Sequence, residues 1–114
     1  MDNLQVQIEP RDGVVVVRLS GDGGTSGTNC LQSALPRVAA LRPALIIFDL
    51  ADVVFVASLF MGVMVGFRHD VLREGGEVRL AALQPNVENA FRTARLTELF
   101  PITSSVDEAL ALRD

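Results

Sequence analysis

Leu45-Ile46-Ile47-Phe48 is an apolar run with no polar position inside it. A strand with one wet face would alternate. A continuous run of this kind describes a strand covered on both sides, as where helices lie above and below a sheet. Pro43 stands just before the run and Asp49 closes it. This one segment points to a layered α/β fold, and the remaining sequence has to supply the other strands and the covering helices.

Leu4, Val6 and Ile8 alternate with Gln5 and Gln7, the period of a half-buried strand. Pro10-Arg11-Asp12-Gly13 reads as a turn, and Val14 to Leu19 as a second strand completing a hairpin. The glycine-rich stretch Gly21 to Gly27 is expected to be a flexible surface loop, because glycine loses so much backbone freedom inside an element. Thr28 or Asn29 is expected to cap a first helix carrying Leu31, Ala34, Leu35, Val38 and Leu41, kinked or delayed by Pro36 and ended by Pro43. Val53 to Val56 leads into a second helix from about Ser58 to Arg73, stopped at Gly75-Gly76.

Val78, Leu80 and Ala82 form another strand, and Pro85-Asn86 opens a third helix with Val87, Ala90, Phe91 and Ala94 on one side. Leu99 to Ile102 is a short extended piece. Ser104 or Ser105, followed by Asp107-Glu108, starts a last helix through Ala109, Leu110 and Leu112. The order ββαβαβα(β)α predicts one α/β domain over residues 1–114, with a mixed, mostly parallel sheet of four to five strands and about four helices.

The length of 114 residues suits a single core. A net charge of −4 and the lack of a basic stripe argue against a nucleic-acid partner. Cys30 and His69 are the only residues of their kinds, so neither an internal disulfide nor a four-ligand zinc site of the usual type is available. No metal or other cofactor is expected. The most apolar stretch, Val53 to Phe67, is shorter than the roughly 18 to 20 residues of a membrane span. Met1-Asp2-Asn3-Leu4 does not begin a signal peptide, and a cytoplasmic protein is the expectation.

Chemistry-bearing residues are few. Nothing in the spacing joins Cys30 to His69 as nucleophile and base. Asp49 and Asp52 are expected at the end of the central strand, as turn residues accepting nearby N–H groups. The glycine-rich stretch fits neither the dinucleotide fingerprint nor a phosphate loop, which needs a lysine. The reading is a non-enzyme.

Several strings in order resemble the STAS domain, the fold of bacterial anti-sigma factor antagonists and of sulphate-transporter tails. They are Val16-Val17-Arg18-Leu19-Ser20-Gly21, Leu45-Ile46-Ile47-Phe48-Asp49-Leu50, Glu74-Gly75-Gly76-Glu77-Val78-Arg79-Leu80, Leu83-Gln84-Pro85-Asn86-Val87 and Leu96-Thr97-Glu98-Leu99-Phe100-Pro101-Ile102. The resemblance covers nearly the whole chain. It implies an Asp-Ser-(Ser/Thr)-Gly stretch opening a helix, whose second hydroxyl residue is phosphorylated by a kinase that is also an anti-sigma factor. Here the matching stretch is Ala57-Ser58-Leu59-Phe60. Leu59 has no hydroxyl, so a phosphate cannot be placed at the family's usual position.

The resemblance thus implies a protein-interaction module that binds an anti-sigma factor or an ATPase-type serine kinase without the usual phospho-switch. On the second helix, Met61, Met64, Val65, Leu72 and the stem of Arg68 are expected to face inward, leaving Leu59, Phe60, Val63 and Phe67 outside. Ser58, Leu59, Phe60, Gly62 and Val63, with Thr25, Ser26 and Thr28 on the neighbouring loop, are the expected partner-binding residues. Phe60→Asp would then leave the fold nearly intact. Ser58 is expected to cap the helix, and is also the candidate for phosphorylation one position early. Alternatives are a self-associating STAS scaffold or homodimer, a module for a small ligand such as a nucleotide or lipid, and a transporter accessory.

Overall fold

The computed structural model describes residues 4–112. Five strands and four helices follow one another as β1 (Gln5–Arg11), β2 (Val14–Gly23), α1 (Thr25–Ala40), β3 (Leu45–Val56), α2 (Ser58–Arg73), β4 (Glu77–Ala81), α3 (Pro85–Thr93), β5 (Ile102–Thr103) and α4 (Val106–Ala111). The strands lie side by side in sequence order. β1 is antiparallel to β2, and every later pair is parallel. The hairpin turns through Asp12 and Gly13, both at positive φ.

The apolar run of β3 is divided between two cores, as a strand covered on both faces requires. Ile46 and Phe48 join the large cluster under α1, α2 and α3, whereas Ile47 joins Ala81 and Ala109 beneath α4. The edge of the large core is fixed by rings in edge-to-face contact, Phe48 with Phe67 and Phe91 with Phe100, at centroid distances of 6.0 and 6.1 Å. On the face of the sheet that carries Ile47, Val14 at the start of β2 packs with the small cluster beneath α4. Glu9 and Arg18 lie there as an ion pair, 2.7 Å apart, and Arg18 also donates to Asp49 at 2.5 Å. The Arg18 guanidinium holds the Glu9 carboxyl below the usual carboxylate range, and Glu9 in turn raises Arg18.

The glycine-rich stretch is not a loop. β2 continues through Gly23, Gly24 is the N-cap, and α1 begins at Thr25, ahead of the expected caps Thr28 and Asn29. The glycines serve close approach. A Cβ on Gly27 would stand 1.9 Å from the carbonyl oxygen of Asp22, and one on Gly23 would stand 2.7 Å from that of Phe55. Asp22 closes the corner by accepting the Gly24 N–H at 2.7 Å. Pro36 sits within α1 without ending it.

β3 is also longer than its apolar run. Asp49 and Asp52 lie inside it, not in a turn after it, although Asp49 does accept the N–H of Ala51 at 3.0 Å. At the other end of the molecule, Arg79 crosses from β4 to donate to the carbonyls of Ala109 and Leu112 at 2.8 and 2.9 Å, tying α4 to the sheet. Ser105 caps α4, its oxygen accepting the Glu108 N–H at 3.0 Å, and the Glu108 carboxylate accepts the Ser104 N–H at 2.7 Å.

Candidate partner-binding edge

The candidate site is built where β2 and β3 run out. Gly23 pairs with Val56, and the Ala57 N–H donates to the Gly23 carbonyl at 3.0 Å, so the starts of α1 and α2 sit side by side. Neither helix has a side-chain cap or an acidic residue in its first turn. Ala57, not Ser58, is the N-cap of α2; Ser58 is exposed in the first turn, and its hydroxyl makes no hydrogen bond among the described residues. The expected cap at Ser58 is therefore replaced by an uncapped start.

Beyond Asp49, β4 no longer accompanies β3, and the register with β2 slips twice, between Arg18 and Ser20 and between Gly21 and Asp22. Each slip places an extra residue in β3, as a bulge does, and re-aims the side chains that follow. Val53 and Val56 turn inward, while Val54 and Phe55 remain 54% and 48% exposed. The side of β3 left by β4 is dressed by side-chain amides from the start of α3. Gln84 donates to the Ala51 carbonyl at 2.9 Å, and Asn86 donates to that of Val54 at 2.8 Å.

On α2 the inward set is Phe60, Met61, Met64, Phe67 and Val71. Phe60 is fully buried, against the expectation that it faces outward, and Phe67 is buried too. The Phe60 ring lies against the bare backbone of Gly23, close enough that a Cβ there would be 3.0 Å from it. Phe60→Asp would accordingly place a carboxylate in the core and unfold the domain, the reverse of the expectation. Leu72, expected inside, is exposed. The phase was ambiguous because the first turns are apolar all round. The polar residues His69, Asp70 and Arg73 would have fixed it, since they oppose the face of Phe60, Met64, Phe67 and Val71.

Leu59 is 59% exposed, and Gly62 is also open to solvent; Val63 is half-buried against the core. Thr25 and Ser26 are exposed on the adjoining turn. Thr28 is buried, its hydroxyl donating back to the Gly24 carbonyl at 2.8 Å, so it offers no surface to a partner. The edge therefore gathers Thr25, Ser26, Ser58, Leu59 and Gly62, and adds Val54 and Phe55, which sequence periodicity missed because the bulges break it. Such a surface can bury apolar area, but it sets no nucleophile beside a base. Cys30 donates its thiol to the Leu4 carbonyl, with no hydrogen bond to His69 among the described residues. Among the described residues, no three His, Cys, Asp or Glu side chains gather as a metal site, and no helix is long and apolar enough to cross a membrane.

Comparison with known proteins agrees with this architecture. The STAS domain family model matches residues 5–109. An anti-sigma F factor antagonist of Paenibacillus polymyxa is 27% identical over 109 residues, covering 95% of this chain and 93% of the relative. The crystal structure of an anti-sigma factor antagonist from Mycobacterium paratuberculosis superposes with a TM-score of 0.87 at 28% identity, covering 97% of this chain and 95% of that one. The unphosphorylated anti-sigma factor antagonist SpoIIAA shares the fold, with a TM-score of 0.78 at 18% identity over 96% of this chain and 100% of its own.

Proposed function

The chain belongs to the STAS domain family, and we propose that it acts in the cytoplasm as a non-catalytic anti-sigma factor antagonist, docking an anti-sigma factor or ATPase-type serine kinase on the edge formed by β3 and α2. The observation that carries this reading is the exposure of Leu59, together with that of Val54 and Phe55 a few residues earlier in the chain. Large apolar side chains left in water at one edge of a fold commonly mark a protein interface. The relatives from Paenibacillus and Mycobacterium, both anti-sigma factor antagonists by name, suggest the class of partner.

In place of the family's phospho-acceptor stands Leu59, which strengthens apolar docking and cannot take a phosphate. The antagonist is then constitutive with respect to that switch. The test is to mix the protein with the anti-sigma factor kinase of its own genome and ATP, following complex formation by calorimetry and phosphate by mass spectrometry. A saturable complex with no phosphate is expected, and Leu59→Asp should lower its affinity at least tenfold. Stoichiometric phosphate on Ser58 would overturn the constitutive reading, and an unchanged Leu59→Asp complex would overturn the docking edge.

A further inference from the structure

Among the described residues the outermost strands are β1 and β5, and they are guarded unequally. β5 has two residues, too few to offer a template. β1 has seven, and it pairs with β2 from Gln5↔Ser20 to Arg11↔Val14 without a register shift, so no bulge blunts it. Pro10 and Arg11 guard only its turn end. Gln5 to Ile8 carries neither a charge nor a proline.

The turn decides which main-chain groups this edge offers. Asp12 and Gly13 both have positive φ, the type I′ geometry of a two-residue hairpin, so the flanking Arg11 and Val14 exchange hydrogen bonds. Bonded and non-bonded pairs alternate along an antiparallel ladder. Glu9, Gln7 and Gln5 therefore bond to β2, and the N–H and C=O groups of Val6 and Ile8 point away from it. Pro10 falls in the outward set, where its missing N–H removes no bond to β2. The carbonyl of Leu4, at the other end of that set, already accepts the Cys30 thiol at 3.1 Å.

We propose that β1 pairs antiparallel with β1 of a second copy of this chain, about a two-fold axis at Gln7, joining two sheets into one. This register sets Val6 opposite Ile8 of the second copy, so the outward groups of both residues are satisfied. It also sets Pro10, which has no N–H, opposite Leu4, whose carbonyl is already engaged. Moving the axis to Ile8 puts Val6 opposite Pro10 and leaves the Val6 carbonyl empty. Moving it to Val6 aims the Ile8 N–H at the engaged Leu4 carbonyl. The side chains agree with the axis at Gln7. Val6 and Ile8, half-buried against the core, meet Ile8 and Val6 of the second copy. On the other face Glu9 meets Gln5 and Gln7 meets its own copy, so no like charges stand opposite. None of these residues belongs to the docking edge. A contact of one strand pair is small, so the dimer is weak and depends on concentration.

Sedimentation velocity of the whole chain from micromolar to millimolar concentration is expected to show a monomer–dimer equilibrium. The amides of Val6 and Ile8 should exchange with deuterium more slowly as the dimer forms. Gln7 is exposed, so Gln7→Lys should keep the urea midpoint. It should weaken association about fivefold by setting two ammonium groups face to face at the axis. An equimolar mixture of Gln7→Lys and Gln7→Glu should regain association as a heterodimer. A monomer throughout, a dimer indifferent to Gln7→Lys, or a dimer whose Val6 and Ile8 amides exchange as fast as the monomer's would each overturn the proposal. A dimer lost on Leu59→Asp, with those two amides never protected, would overturn it in favour of the apolar edge as the contact.

Discussion

The starts of α4 and α2 solve the same problem in opposite ways. At α4 the chain obeys local rules. Ser105 and Glu108 satisfy the first amides, and Arg79 gathers the last carbonyls. At α2 there is no side-chain cap, no acid in the first turn, and a leucine more than half in water. A terminus that is fully satisfied by its own chain has little left with which to bind. One that leaves amides and apolar surface unsatisfied has given up stability where contact with another molecule can restore it.

The sharpest way to break this contrast is to probe neighbours that point in opposite directions. Phe60→Ala should cost about 3–5 kcal/mol in urea unfolding, whereas Leu59→Ala, a side chain already in water, should change stability by less than about 0.5 kcal/mol. Equal costs would mean that the edge is part of the core. Next come the glycines. Gly27→Ala, which drives a methyl into the Asp22 carbonyl, should destabilise by about 1–3 kcal/mol. Gly62→Ala, with open space around it, should stabilise by about 0.5–1 kcal/mol.

The caps themselves give a smaller difference. Ser105→Ala should cost about 1 kcal/mol, and Ser58→Ala should leave the melting temperature unmoved. A matching loss at Ser58 would show that α2 is capped in solution after all.

The smallest effect lies on the sheet face that carries Arg18, away from both helix starts. Glu9 is held below the ordinary carboxylate range by Arg18, so the pair adds stability above the unfolded-state value and loses it as pH falls through the folded-state value. Glu9→Gln should therefore lower the melting temperature slightly near neutrality, leave it unchanged well below the folded-state value, and so flatten the acid side of the curve. A carboxyl titration by NMR that put Glu9 at the ordinary value would remove that expectation.

How much of this was legible in the sequence follows the same contrast. The doubly covered strand at Leu45–Phe48, the hairpin, and a cap at Ser104 or Ser105 could be read directly, because periodicity, turn residues and capping act over a few neighbouring positions; the structure chooses Ser105. The glycines at 23 and 27 misled, since their reason is a carbonyl and a ring brought close by the fold, not a local need for a loop. Phe60 and Phe67 were placed on the wrong side of α2 because a helix apolar all round its first turns has no visible phase there. Val54 and Phe55 were missed for a third reason: two bulges in β3 replace alternation by a pattern that only the pairing with β2 defines.

The amides of Gln84 and Asn86 on the flank of β3 have a consequence for any visitor. They occupy the carbonyls of Ala51 and Val54 that an incoming strand would need, so the sheet cannot be lengthened sideways there by a borrowed ribbon of another chain. Whatever settles over Val54 and Phe55 has to hold on by the shape of its side chains. Such a grip can be released without tearing out a ladder of main-chain bonds.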